Sequence, residues 1–140
     1  TLSFSISSSD ESAAPVVARS PEILHSLGNF IENAFRFAND EVRLDLSWDT
    51  HHIHLIISDD GPGFDPDILD SLGEPYLPSR AGRRGSHQGM GLGIFIASTL
   101  LERTGANILY LNDADKGAVV EVTWNRDDIE EHGEAWENIE

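Results

Sequence analysis

Polar and apolar positions alternate over Thr1-Leu2-Ser3-Phe4-Ser5-Ile6, which predicts a strand. Ser7 to Ala14 is small and polar and reads as a loop, and Pro15 to Ala18 reads as a second short strand. The period then changes. Ser20 before Pro21 marks a helix start, a hydroxyl N-cap followed by a proline at the first helical position. Ile23, Leu24, Leu27, Phe30, Ile31, Ala34, Phe35 and Ala38 recur at helical spacing until Asn39-Asp40 closes the helix. Alternation returns from Glu41 to Trp48, with Val42, Leu44, Leu46 and Trp48 on one face. Asp49-Thr50-His51 reads as a turn and Ile53 to Ser58 as a returning strand, so the pair is a hairpin. Asp59-Asp60-Gly61-Pro62-Gly63 ends it abruptly.

Residues 64 to 88 hold few apolar positions and many breakers, among them Pro66, Gly73, Pro75, Pro78, Gly82 and Gly85. A short helix is predicted over Asp65 to Leu72, then a long loop, a feature that is usually functional inside a compact domain. Gly91 to Thr104 has a helical pattern carried by Leu92, Ile94, Phe95, Ile96, Leu100 and Leu101, with Gly105 as its stop. Ile108 to Leu111 and Ala118 to Trp124 read as strands joined by a turn over Asn112 to Gly117. From Asp127 the chain is acidic and poor in apolar residues. The organisation expected is one domain over 1–126 and a solvated, flexible tail over 127–140. The element order predicts an α+β fold of two layers, with helices on one face of a mostly antiparallel sheet.

Composition narrows the chemistry. A chain of 140 residues with no cysteine excludes a disulfide scaffold, Cys-ligated zinc and thiol catalysis. No apolar run is long enough to span a bilayer, and no secretory signal is visible. Acids outnumber Lys and Arg by 25 to 9, for a formal charge of −16. Such a chain is a poor partner for nucleic acid or an anionic membrane surface. A nucleotide would need local donors, a metal ion, or both.

Three segments carry candidate chemistry. On the first long helix, Asn29, Asn33 and Arg36 are four and three residues apart and share a face, with Glu32 beside them. A carboxamide oxygen suits Mg²⁺, and an Arg one turn on suits phosphate oxygens. Alone, such a face is more often merely solvated. Asp59, at a strand end, can accept a hydrogen bond from an exocyclic amine such as that of adenine, and Gly61 and Gly63 let backbone approach a flat ligand; Asp, Gly and Pro also make plain tight turns. Gly89-Met90-Gly91-Leu92-Gly93 opens a helix, where backbone N–H groups can face an anion, or where glycines serve only as a hinge. The spacing is neither that of a dinucleotide fold nor of a P-loop, and the signatures of Ser/Thr/Tyr protein kinases are missing.

In this order and spacing, the three segments resemble the catalytic ATP-binding domain of sensor histidine kinases, within the superfamily that includes gyrase, Hsp90 and MutL. His25 to Phe37 resembles the family's N box, Asp59 to Gly63 its D-x-G-x-G box, and Gly89 to Gly93 its G-x-G-x-G box. Gly73-Glu74-Pro75-Tyr76 resembles the intervening F-box region, and Gly117-Ala118-Val119-Val120 the last glycine and core strand. Glu74-Pro75-Tyr76, Gly91 to Ala97 and Leu100 to Ala106 are similar to the redox-responsive RegB/PrrB group.

The resemblance implies a Bergerat-type fold with a long ATP lid, and ATP and Mg²⁺ as ligands. It implies Asn33 as the Mg²⁺ ligand, Asn29 as support for metal and phosphate, and Arg36 as the basic group on the phosphates. Asp59 would read the adenine amine, with Gly61 and Gly63 giving the base room. Gly89, Met90, Gly91, Leu92 and Gly93 would shape the lid hinge and phosphate contacts. Tyr76 and the lid arginines Arg80, Arg83 and Arg84 would add nucleotide contacts, although a basic loop tip also serves solubility. Glu32 would polarise or position the acceptor histidine. Phe37 stands where many relatives carry Tyr, so a hydroxyl contact is lost there.

The family's acceptor histidine lies in an upstream hairpin whose pattern is missing here. His25, His51, His52, His54 and His87 are therefore not read as phosphoacceptors; the His51-His52-x-His54 cluster can bind metal adventitiously. The function implied is donation of the γ-phosphoryl of Mg-ATP to a histidine on a separate dimerisation domain, for onward transfer to a response regulator aspartate. An amide at Asn29 cannot be a general base for water, which argues for kinase over ATPase. The setting implied is cytoplasmic, in a membrane-anchored bacterial sensor that is a homodimer at full length, the fragment itself being monomeric. The rivals are an anti-sigma-type Ser/Thr kinase, a non-catalytic nucleotide-binding module on the same fold, and a plain acidic interaction domain.

Overall fold

The computed structural model describes residues 1–69, 85–115 and 117–130. Among the described residues five strands form one sheet: β1 Leu2–Ser8, β2 Val42–Trp48, β3 His52–Asp59, β4 Asn107–Asn112 and β5 Ala118–Asn125. Their spatial order is β1-β2-β3-β5-β4. β1 runs parallel to β2, and every other pairing is antiparallel. A parallel neighbour needs a crossover, and helix α1, Pro21–Phe37, supplies it.

The N-terminus of α1 forms as its residues dictate. Ser20 is extended, its Oγ accepts the Ile23 N–H at 3.2 Å, and Pro21 occupies the first turn. Ser26, Phe30 and Ala34, spaced by four, are buried on one stripe. Helix α3, Gly85–Glu102, packs beside α1 and buries Ile94, Ala97 and Leu101. Beneath them, Val42, Ile53, Leu55, Ile57, Val120, Val122 and Trp124 line the inner face of the sheet. The outer face is left to Arg43, Asp45, His54, Glu121 and Thr123, none of them buried, as one-sided antiparallel sheets allow. The two-layer α+β architecture is the one expected from the element order.

Three local readings change. Pro15 to Ala18 is not a strand; Val17 makes one isolated bridge, to Glu130. A short helix, α2, spans Pro66–Leu69; Asp65 precedes it, and residues 70–72 of the expected helix lie outside the described residues. α3 begins by Gly85, so Gly89 to Gly93 lies within the helix instead of ahead of it. At the other end, α4, Arg126–Ile129, forms one helical turn, and Ile129 packs against the core. Its buried Arg126 donates through Nε to Glu130 Oε1 at 3.1 Å and through Nη1 to the Asp49 carbonyl at 3.0 Å. Residues 127–130 of the expected tail are thus tied to the domain, while 131–140 lie outside the described residues. Among the described residues no helix is long and apolar enough to cross a membrane.

Candidate functional site

α1 and the C-terminal end of β3 face each other across a narrow, open cleft. Its walls include Phe30, Asn33, Ala34 and Phe37 from α1, Ile57 and Asp59 from β3, Gly63 and Phe64 from the following loop, Ile94 from α3, and Ala118 and Val120 from β5. Tyr110 backs two of these walls: it meets Phe64 edge to face with ring centroids 6.1 Å apart, and Phe30 at a tilt of 53° with centroids 6.2 Å apart. The lining is apolar apart from Asn33 and Asp59, which suits a flat aromatic ligand held by a few polar groups.

Asp59 is half-buried at the point where β3 leaves the sheet. Its Oδ1 accepts the N–H of Gly61 at 2.8 Å and of Ala118 at 3.4 Å. Burial pushes its carboxyl above the usual range, and the neighbouring Asp60 charge adds to this, while the two backbone donors pull the other way. Asp60 has a different task. Its Oδ1 accepts the backbone N–H groups of Asn39 and Asp40 at 2.9 Å and of Glu41 at 3.1 Å, pinning the turn from α1 into β2. Those bonds hold its carboxyl below the usual range.

The glycines around Asp59 are set by backbone crowding. A Cβ on Gly61 would lie 2.0 Å from the Phe37 carbonyl oxygen. On Gly117, with φ +98°, it would lie 1.7 Å from the Asp59 carbonyl oxygen. Asn112 closes the loop end of the cleft: its Oδ1 accepts the Phe64 N–H at 2.7 Å and its Nδ2 donates to the Phe64 carbonyl at 2.9 Å. Asp60 and Asn112 are site-shaping residues that the sequence pattern alone does not single out. Asp60 is hidden inside a motif credited to its neighbour, and Asn112 inside a turn.

Of the residues expected at the site, Asn33, Phe37, Asp59 and Gly63 meet in the cleft, and Gly61 lies against its rim. Asn29, one turn before Asn33, is half-buried and not part of the lining. Glu32 and Arg36 are exposed on the adjoining face of α1. Gly89, Met90, Gly91 and Leu92 lie on the first turns of α3, and Gly93 is half-buried there. Tyr76, Arg80, Arg83 and Arg84 lie outside the described residues.

Residues 18–128 match the family described as histidine kinase-, DNA gyrase B-, and HSP90-like ATPase, and the chain belongs to it. Within the family its kinship is with the catalytic ATP-binding domains of sensor histidine kinases. It is 42% identical over 126 residues to the sensor histidine kinase RegB of Cereibacter sphaeroides, covering 79% of this chain and 27% of that protein. It is 32% identical over 107 residues to the histidine protein kinase SaeS of Staphylococcus aureus, covering 74% of this chain and 30% of that protein. The chain therefore spans less than a third of the length of these relatives, and the RegB-like resemblance seen in the sequence stands. The fold is also that of full-length ShkA solved with AMPPNP, at a TM-score of 0.64 and 23% identity over 88% of this chain and 25% of that one.

Proposed function

We propose that this domain binds Mg-ATP in the cleft between α1 and β3 and donates the γ-phosphoryl group to a histidine on a separate dimerisation domain. The observation that carries the reading is the pairing of Asp59 and Asn33 across an otherwise apolar cleft. Asp59 Oδ1 is held by two backbone donors, which leaves Oδ2 to accept the exocyclic amine of adenine. Guanine presents a carbonyl at that position and would meet the carboxylate unfavourably. The apolar walls take the faces of the base. Asn33, with Asn29 one turn away, offers neutral oxygen to Mg²⁺, whose role when bound is to neutralise phosphate charge. Arg36, exposed one turn on, meets phosphate oxygens.

The chain's contribution is positioning and electrostatics, with no covalent intermediate on the enzyme. Glu32, exposed next to Asn33 in sequence, orients the incoming imidazole in this reading. Tyr76 and Arg80, Arg83 and Arg84 of the lid add contacts once nucleotide is bound, and Gly89, Met90, Gly91, Leu92 and Gly93, on the first turns of α3, bring backbone close to the phosphates. The phosphoryl group passes onward to an aspartate of a response regulator. The full-length kinase is a homodimer through its histidine-bearing domain, and this part works in the cytoplasm, where ATP is supplied.

The test is to mix the domain with γ-labelled ATP, Mg²⁺ and the histidine-bearing domain of a RegB-like kinase. Acid-labile, alkali-stable label on the histidine supports the proposal. Acid-stable phosphoserine would instead favour the anti-sigma type of kinase.

A further inference from the structure

At the opposite end of β3 from the cleft, Asp49, His52 and His54 converge. Each presents one ligand atom, and these atoms lie within 4.8 Å of one another. All three are half-buried, and the two histidines occupy alternate positions on the outer face of the sheet. From His52 to Asp59 the strand advances roughly 23 Å, so this cluster is separate from the nucleotide cleft.

We propose that Asp49, His52 and His54 form a binding site for a divalent transition-metal ion of the Zn²⁺ type. Two imidazole nitrogens and one carboxylate oxygen are ligands such an ion favours, with water in the fourth position. Tetrahedral zinc with these ligands sets them about 3.3 Å apart. Asp49 Oδ1 and His52 Nδ1 already stand at 3.4 Å. The remaining closure, from at most 4.8 Å, is within reach of side-chain rotation.

The scaffold holds the ligands in place. Asp49 Oδ1 accepts the N–H groups of His51 at 2.7 Å and His52 at 2.6 Å, which keeps its carboxyl below the usual range and so ionised. The turn is tied from two further sides. Asp10 Oδ2 accepts from the Thr50 N–H at 2.9 Å and from its hydroxyl at 2.7 Å. The buried Arg126 donates its backbone N–H to the His51 carbonyl at 2.8 Å and its Nη1 to the Asp49 carbonyl at 3.0 Å. Thr123 Oγ1 lies 3.3 Å from His54 Nδ1 and orients that ring. A hairpin end fixed this well loses little freedom on binding an ion.

The experiment is calorimetric titration of the nucleotide-free protein with ZnCl₂, for wild type, His52→Gln, His54→Gln and His51→Gln. One saturable site is expected, with His52→Gln and His54→Gln each weakening it at least about tenfold, the scale of losing even an outer partner of a ligand. His51→Gln leaves it unchanged. Asp49 also ties the turn, so the histidine variants decide, with thermal melts showing that each remains folded. Absence of saturable binding, or binding that survives both His52→Gln and His54→Gln, overturns the site and assigns any uptake to other histidines.

Discussion

Asp59 bears two opposed demands. Its folded carboxyl titrates above the ordinary 3.8, so the ionised form is disfavoured by folding. A raised carboxyl contributes stability below its unfolded value and loses it as pH rises through the folded one. Asp59→Asn, which retains an oxygen for the Gly61 and Ala118 donors, is therefore expected to raise the melting temperature of the nucleotide-free domain at pH 7. The gain vanishes below about pH 3.8, where both forms are neutral. The same substitution removes a charged acceptor, and ATP affinity falls by about 1.5–3 kcal/mol with loss of preference over GTP. Melts across pH beside nucleotide titrations check both halves. Neighbouring Asp60 shows where sequence runs out: its donors lie 19 to 21 residues upstream, so no local pattern separates its structural task from the task of Asp59.

At the scale of elements, the glycines divide by what surrounds them. Gly61→Ala drives a methyl into backbone at 2.0 Å and is expected to destabilise by at least about 1–3 kcal/mol in urea unfolding. A methyl added at Gly93 on α3 would meet nothing within 4 Å, so Gly93→Ala is expected to leave folding intact, or to stabilise the helix by up to about 1 kcal/mol. A drop in ATP affinity in that folded variant would mark Gly93 as a ligand contact. The helices and hairpin were legible because Ser20-Pro21 and the alternation from Val42 to Trp48 act locally. The start of α3 is not legible because Gly85, Gly89 and Gly91 are poor helix formers, so propensity sets the start several residues late. Pro15 to Ala18 is an apolar run too short to distinguish a strand from a single bridge. The turn of α4 escaped notice because its acidic residues hide the buried Arg126 pairing to Glu130. Glu130→Ala is expected to cost about 1.5–3 kcal/mol of stability, the scale of a hydrogen bond to a charged partner, read by denaturant melts.

For the whole molecule, the α+β layering followed from element order, while the parallel placement of β1 beside β2 did not, because strand pairing is set by contacts about 40 residues apart. The cleft was legible as a set of motifs, and its closure by Asn112 on Phe64, 48 residues apart, was not. The central claim is that Asn33 and Asp59 make one Mg-ATP site. It is tested most directly by calorimetric titration with a non-hydrolysable ATP analogue, with and without Mg²⁺, on wild type and Asn33→Ala. Wild type is expected to bind more tightly with Mg²⁺, and folded Asn33→Ala to lose that increment while keeping adenine-dependent binding. Equal binding by both proteins in Mg²⁺, or none by folded wild type even with its histidine-bearing domain present, would contradict the claim.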